Sequence, residues 1–292
     1  MAVRRLLIAF LLAGFGLPSS WAGCPQDAVP SGVGQLDREL GARPFNVVVR
    51  ELHLVNVLRT SVDEQQQISE LLAGFCFRSD KRAELDERIR DAFQRLGFFS
   101  ATVADVEVKD LDRRVDPPSV SVTARIQEGD RYRLKEIKFK GNKAISDSGA
   151  LRSIIPMKDA DWFNIEQVRQ GIKALKDVYG ELGFINFTPI PDFQLDNEQK
   201  LIVFTIDIDE GAQYRIESVT IRAADERRKA ALQSVWPEDL QPGRVFNSKA
   251  VELFFKTASD LLPPDASPDH NLHVAQDNEK HTVNILLIAV PN

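Results

Sequence analysis

The sequence predicts an α+β fold made of three tandem β-α-α-β-β modules, each a three-stranded mixed sheet covered on one face by two helices. An internal repeat is the strongest observation, because Glu128-Gly129-x-x-Tyr132 recurs as Glu210-Gly211-x-x-Tyr214 about 80 residues later. Alternating apolar and polar residues, which are typical of half-buried strands, precede and follow both Glu-Gly pairs. Each Glu-Gly pair is therefore predicted to join one module to the next.

The middle module, residues 131–212, displays the order of elements most clearly. The predicted elements are a strand over 132–140, a helix from its cap Ser146 to Pro156, an amphipathic helix from Ile165 to Gly183, a strand from Phe184 and a strand over 201–208. A short turn joins the last two strands, so they should pair antiparallel. We expect the third strand to lie between the other two and antiparallel to both, which leaves the second strand at an edge.

The other two modules follow the same plan with one departure. In the first, residues 45–130, Leu96-Gly97-Phe98 matches Leu182-Gly183-Phe184 at the exit from the second helix, which is expected to start after Phe77-Arg78-Ser79. In the third, residues 213–292, Phe246-Asn247 keeps the start of the second helix, but the Leu-Gly-Phe exit is missing. Three modules account for the chain after residue 44.

The amino-terminal residues predict export. Arg4-Arg5, an apolar stretch of about a dozen residues and a small-residue site ending at Ala22 have the order of a secretory signal peptide, assigned to residues 1–22. The apolar stretch is shorter than the roughly 20 residues that span a bilayer, which disfavours the alternative of an uncleaved anchor. Residues 23–44 are rich in Pro and Gly and are predicted to be a tether.

The two cysteines allow two interpretations. Ala22-Gly23-Cys24 has the ending of a bacterial lipoprotein signal, so Cys24 could carry a lipid anchor. An oxidising compartment equally permits a Cys24–Cys76 disulfide, and paired cysteines are common in exported chains. We favour the disulfide.

Composition argues against several classes of function. A net charge of −6 with evenly spread Lys and Arg offers no basic field for nucleic acid. The motifs of nucleophilic, phosphate-binding and zinc-dependent enzymes are missing from the sequence, so no enzymatic activity and no cofactor are predicted. The His270-x-x-His273 spacing has no Cys or acidic cluster to complete a metal site, and none is expected.

A resemblance to a known family rests mainly on the middle module. The residues that carry it are Ile137-x-Phe139-x-Gly141-Asn142, Phe163, Tyr179-x-x-Leu182-Gly183-Phe184 and Glu210-Gly211. Together, and in β-α-α-β-β order after a signal peptide, they resemble the polypeptide-transport-associated (POTRA) domain. In BamA-type, TamA-type and two-partner-secretion proteins such modules form a periplasmic arm ahead of an outer-membrane β-barrel, and the arm receives or guides unfolded polypeptides.

The resemblance implies a non-enzymatic scaffold in the periplasm, either free or attached to the outer membrane. Its expected partners are unfolded outer-membrane or secreted proteins, or an outer-membrane assembly or translocation machine on which it docks. Because the third module is followed by no barrel strands, we expect a separately encoded outer-membrane β-barrel, or the loss of a carboxyl-terminal barrel. A lipid-anchored tether for envelope or division proteins is the alternative. Such a tether would bind one folded partner tightly and ignore extended peptides.

The resemblance also places client binding at the second strand of each module, where an edge can accept an extended peptide as a further strand. Pro189 and Pro191 in the second module lie two residues apart, so their missing N–H groups point the same way and partly protect that edge. The first module has no such proline and is predicted to offer the open edge, unless a neighbouring module or the tether covers it. Candidate binding residues are Phe99, Ala101, Val103 and Asp105 in the first module, and Ile185 and Phe187 in the second.

Overall fold

The computed structural model describes residues 4–5 and 45–290. The predicted tether, Cys24 and the signal peptide other than Arg4 and Arg5 lie outside these residues. Arg4–Arg5 forms a two-residue strand, β1. Among the described helices, none combines the length and the apolar character that crossing a membrane requires.

The first module contains four strands and two helices. Its elements are β2 (Asn46–Val55), α1 (Val62–Leu72), β3 (Cys76–Arg78), α2 (Arg82–Arg95), β4 (Thr102–Asp112) and β5 (Ser119–Gln127). The sheet order is β3-β2-β5-β4, with β5 parallel to β2 and antiparallel to β4. The predicted central position of the last strand is confirmed, but the predicted antiparallel pairing with the first strand is wrong. Because β4 runs opposite to β2, the hairpin after β4 turns β5 into the direction of β2.

Strand β3 is the main departure from the predicted three-stranded sheet. The segment Phe77-Arg78-Ser79 was predicted only to precede the second helix, but residues 76–78 pair antiparallel with residues 46–48 of β2. The Ser79 hydroxyl accepts a hydrogen bond from the Phe45 N–H (3.3 Å), which holds this segment beside β2 and leaves α2 to begin at Arg82. The first module therefore gains a short fourth strand.

Alternate residues of β5 form the floor of the first core. Val120, Val122, Ala124 and Ile126 are buried against apolar side chains of α1 and α2, such as Ile68 and Phe93. Residues of the opposite face, such as Ser121 and Arg125, are at least partly exposed. This alternation places both helices on one face of the sheet. Each fully buried large side chain contributes about 1.5–3 kcal/mol to folding.

The second module matches the predicted order closely. Its elements are β6 (Arg133–Lys140), α3 (Ser148–Ile154), α4 (Ile165–Glu181), β7 (Thr188–Asp196) and β8 (Leu201–Asp209), and the sheet order is β1-β7-β8-β6. The predicted cap of α3, Ser146, is one residue too early. Asp147 is the N-cap, and its carboxylate accepts a hydrogen bond from the Gly149 N–H (2.8 Å).

The third module keeps the plan in spite of its altered exit. Its elements are β9 (Arg215–Ala223), α5 (Glu226–Ser234), α6 (Ser248–Thr257), the one-turn α7 (Pro268–Asn271), β10 (Leu272–Asp277) and β11 (Thr282–Ala289). Asn247 caps α6 by accepting a hydrogen bond from the Ala250 N–H (3.0 Å), as the sequence predicts. The sheet order is β10-β11-β9, and β11 is again parallel to the first strand.

The chain divides into two compact units. One consists of Met1–Glu136, Met157–Glu166 and Phe193–Val203, and the other of Ile137–Pro156, Gln167–Asp192 and Phe204–Asn292. By these ranges, the residues that join the first module to the second fall in the first unit. Those that join the second module to the third fall in the second unit.

Candidate functional site

Strand β4 forms one edge of the first module's sheet. It is 11 residues long and, within the described part of the chain, pairs on one side alone, with β5. Its outer side therefore presents a row of main-chain N–H and C=O groups that no described strand satisfies. Such a row can bind an extended peptide as an added strand.

The two faces of β4 differ in chemistry. Val103, Val106 and Val108 are half-buried and pack against the core of the module. Glu107 and Lys109 are exposed on the other face and form an ion pair (3.2 Å). A peptide added at this edge would alternate between an apolar and a charged surface, because successive side chains of a strand point to opposite faces.

Two irregularities limit the regular part of this edge. The register with β5 shifts between Val103 and Asp105 and again between Asp110 and Asp112. Such bulges bend and twist a strand, and natural proteins use them, together with charged side chains, to restrain edge pairing. The regular segment that remains for strand addition is residues 105–110.

Of the four residues predicted in the first module, two lie on β4. Val103 and Asp105 are part of the strand, whereas Phe99 and Ala101 precede it. The Phe99 ring packs against the rings of Tyr132 and Phe163, with both centroid distances 5.4 Å, and Ala101 is buried. Phe99 therefore helps to join two modules and does not line the edge.

The two residues predicted in the second module also precede their strand. Phe187 is buried and stacks on Tyr179 with a centroid distance of 4.1 Å, while Ile185 packs against the core of the third module. Phe99 and Ile185 each come directly after a Leu-Gly-Phe sequence. This shared position is the sequence signal that could have assigned both residues to joints.

The outer edge of β7 differs from that of β4. Its described partner is β1, which pairs Arg4 with Leu195 and Arg5 with Gln194, at the far end from the prolines. Pro189 and Pro191 lie in the remaining part, where each removes one main-chain donor. β7 therefore has fewer main-chain N–H donors than β4.

The two joints share one main-chain arrangement. At the first, the Tyr132 N–H donates to the Gly97 carbonyl (3.0 Å), and the Phe163 N–H donates to the Tyr132 carbonyl (2.9 Å). The corresponding residues at the second joint are Tyr214, Gly183 and Phe246. The repeated Tyr and Leu-Gly-Phe sequences thus meet each other in the structure.

Glu128 of the repeated Glu-Gly pair organises the loop that follows β2. Its buried carboxylate accepts hydrogen bonds from the N–H groups of Leu58, Arg59 and Thr60 (2.8, 2.8 and 2.9 Å) and from the Thr60 hydroxyl. Burial opposes the charged form, but the Thr60 hydroxyl and these three N–H groups together hold the pKa of Glu128 below its ordinary value. Glu210 accepts comparable bonds from Lys143 and Ala144 (2.7 and 2.8 Å).

Neither a metal site nor a free thiol is found among the described residues. Within residues 45–290, no group of three or more His, Cys, Asp or Glu side chains is arranged to hold a metal ion. Cys76 begins β3, and no described cysteine is a free thiol. Because Cys24 lies outside the described residues, its disulfide or lipid attachment stays a prediction.

Comparisons with known proteins identify the kind of module. The family model for POTRA, described as surface antigen variable number repeat, matches residues 47–129 and 132–211. The chain is 22% identical over 205 residues to outer membrane protein assembly factor BamA of Neisseria meningitidis, covering 66% of this chain and 25% of that protein. It is 24% identical over 212 residues to BamA of Neorickettsia risticii, covering 70% and 27%. The chain thus spans about a quarter of the length of these relatives.

A solved structure shows the same fold. The crystal structure of POTRA domains 3–5 of BamA from Haemophilus influenzae superimposes with a TM-score of 0.57 at 19% identity. The match covers 85% of this chain and 98% of that structure. Three consecutive modules of this type therefore account for the described architecture.

Proposed function

The chain belongs to the POTRA family, and from this premise we propose that it is a non-enzymatic periplasmic scaffold for outer-membrane protein assembly. In this proposal the scaffold binds unfolded outer-membrane or secreted polypeptides by strand addition at β4. The predicted signal peptide supports the compartment, and the similarity to BamA proteins supports the process. The observation that carries the binding mode is the unpaired outer side of β4 among the described residues.

Main-chain recognition suits such clients. Hydrogen bonds to a sheet edge do not depend on the client's sequence, whereas contacts of alternate side chains with the module add a modest preference. The six regular residues between the bulges provide few such bonds, and an unfolded client loses conformational entropy when it is ordered. Binding is therefore expected to be weak and exchangeable, as a protein that hands on its clients requires.

Site-specific photo-crosslinking tests this proposal. A crosslinker is placed at Glu107 on β4, with matched controls at Ile190 on β7 and Ala275 on β10, and all three positions are exposed. β4 and β10 are edge strands of their sheets, and Ile190 lies in the part of β7 that β1 does not pair with. Each protein is mixed with a urea-denatured outer-membrane protein during dilution, and with the same protein already folded. We expect capture of the unfolded client to be strongest from Glu107.

Two results would count against the proposal. Equal or stronger capture from Ile190 would show that the proline-bearing edge is used and that β4 has no special role. Capture of folded proteins alone would favour the tether interpretation, in which the arm holds one structured partner.

A further inference from the structure

The first joint contains a cationic cleft of about 600 Å³ that strand addition does not use. We call it the joint cleft, and its charged and aromatic lining consists of Arg59, Asp130, Arg131, Arg133, Trp162 and Lys200. All six residues lie in the first compact unit. A volume of this size is within the range of protein binding sites for small ligands.

The lining carries more positive than negative charge. Asp130 is shared by Arg59 (3.0 Å) and Lys200 (3.2 Å), and these two cations hold the pKa of Asp130 below its ordinary value. Arg131 pairs with Glu64 (2.5 Å) beneath the cleft. Four cations thus face two carboxylates, in a chain whose net charge is −6. The excess is local to this cleft.

Arg133 is the cation left without an acidic partner in the described part of the chain. Its guanidinium lies over the Trp162 ring, 3.7 Å from the centroid, and one nitrogen donates to the Ala160 carbonyl (2.7 Å). Stacking on an aromatic ring holds the guanidinium plane in place, which prepares the remaining N–H groups for a planar two-oxygen acceptor. Trp162 is 42% exposed, so this stacked pair is open to solvent.

The second joint shows that folding a joint does not require this lining. There Arg215 donates to the Gly243 carbonyl (3.2 Å), as Arg133 donates to the Ala160 carbonyl at the first joint. The main chain of Arg215 forms a β-bridge with Val245, and that of Arg133 forms the equivalent bridge with Trp162. Gln213 donates to the Leu182 carbonyl (2.9 Å), as Arg131 does to Leu96 (2.8 Å). The remaining replacements are Ala212 for Asp130 and His281 for Lys200. The same main-chain arrangement forms at the second joint with Val245 and Gln213 in these two positions. Trp162 and Arg131 are therefore not needed to form a joint.

We infer that the joint cleft binds a carboxylate of an acidic polypeptide segment, with Arg133 as the principal contact. The inference rests on the proposed function, since it assumes that the arm binds polypeptides. A guanidinium fork matches a carboxylate in bidentate geometry, and one open fork suits one carboxylate. A membrane surface is a poorer occupant, because its many anionic headgroups would also meet the acidic remainder of the chain. The cleft therefore adds a preference for acidic clients to a binding mode that is otherwise independent of sequence.

Peptide binding to the mature protein tests the inference. A fluorescently labelled extended peptide rich in Glu is titrated and its anisotropy measured, beside an otherwise identical peptide with Gln in place of Glu. The variants are Arg133→Gln and Trp162→Val, the latter taking the residue found at the second joint, and the matched control is Arg215→Gln. A charge-assisted hydrogen bond corresponds to roughly a tenfold change in affinity. We expect about a tenfold loss of binding to the Glu peptide for Arg133→Gln, a smaller loss for Trp162→Val, and none for Arg215→Gln.

The possible outcomes separate this inference from the proposed function. Equal binding of the Glu and Gln peptides, or equal losses from Arg133→Gln and Arg215→Gln, would overturn the inference while leaving crosslinking from Glu107 unaffected. If capture from Glu107 fails while the Glu peptide still binds through Arg133, strand addition alone is overturned.

Inorganic phosphate and vesicles containing phosphatidylglycerol form the remaining arms of the binding experiment. Stronger binding of either one than of the Glu peptide, lost in Arg133→Gln, would show a phosphate site and contradict the choice of a carboxylate.

Discussion

Gly97 lies so close to Phe163 that a Cβ atom on residue 97 would meet both the Cβ and the carbonyl oxygen of Phe163 at 3.2 Å. Gly97 is also in the left-handed region, with φ +91°. The exit turn of the first module is thus packed directly against the second module, and the same holds for Gly183 (φ +84°) and Phe246 at the second joint. The Leu-Gly-Phe repeat is therefore a requirement of joining modules.

Replacement of Gly97 by Ala should destabilise the protein by about 2–4 kcal/mol, because left-handed strain adds to steric contact with Phe163 and Tyr132. Gly74→Ala is the matched control, since Gly74 has a similar φ of +83° but no atom within 4 Å of an added Cβ. That control should lose only the strain energy, about 1–2 kcal/mol. Urea unfolding of both variants measures the difference. Equal losses would show that the joint is not tightly packed.

Glu128→Gln should destabilise the first module by about 1.5–3 kcal/mol near neutral pH, because a carboxamide cannot accept all four hydrogen bonds. The folded-state pKa of Glu128 is below its ordinary value of 4.5, so its contribution is complete above 4.5 and is lost as the pH falls through the folded-state pKa.

The difference in unfolding free energy between the wild type and Glu128→Gln should therefore be largest at neutral pH and shrink in acid. Urea unfolding at a series of pH values checks this. Glu210→Gln serves as the comparison, because Glu210 is less buried and accepts two main-chain hydrogen bonds. A wild-type advantage that is constant down to strongly acid pH would exclude a buried carboxylate as its source.

Proline substitution distinguishes the two sides of β4. Successive main-chain N–H groups of a strand point to opposite sides. One of the two variants Glu107→Pro and Val108→Pro therefore removes a donor on the outer side of β4, and the other removes a hydrogen bond to β5. The variant that keeps nearly wild-type thermal stability should lose capture of the unfolded client, while the other should be clearly less stable. If the stable variant still captures client at the wild-type level, strand addition at β4 is not the binding mode.

Cys24 and Cys76 should form a disulfide in the mature protein. The intact mass of the protein purified without reductant should then rise by two hydrogens on reduction, with no lipid attached. A mass that instead includes a diacylglycerol and an acyl group on Cys24 would show a membrane-anchored arm. Oxidised protein is also expected to unfold at a higher urea concentration, because the bridge restricts the unfolded chain.

Features carried by neighbouring residues were predictable from the sequence. The helices, the order of the strands and the Asn247 cap follow from local periodicity and capping side chains. The repeated Glu-Gly pairs predicted where one module joins the next, whereas Leu-Gly-Phe was predicted only as the exit from the second helix. The family assignment depended on these local patterns, and the family match over residues 47–211 agrees with it.

Features that depend on distant contacts were missed. The carboxylate of Glu128 meets N–H groups about 70 residues earlier, and β3 is held by pairing with β2 across a helix. Phe99 alternates correctly for a strand, but contact with Tyr132 and Phe163 determines its place at the joint. Likewise, Arg133 and Trp162 are far apart in sequence, and nothing local indicates that they stack. Periodicity describes one element at a time, so it cannot assign such partners.

Hydrogen exchange of the arm, with and without an unfolded outer-membrane client, tests strand addition most directly. An added strand would bond to the outward amides of residues 105–110, so their exchange should slow markedly when the client is present. The amides of Thr188, Ile190 and Asp192 on β7 should change little. Slowed exchange confined to β7 or β10, or no change in β4 at saturating client, would contradict the account.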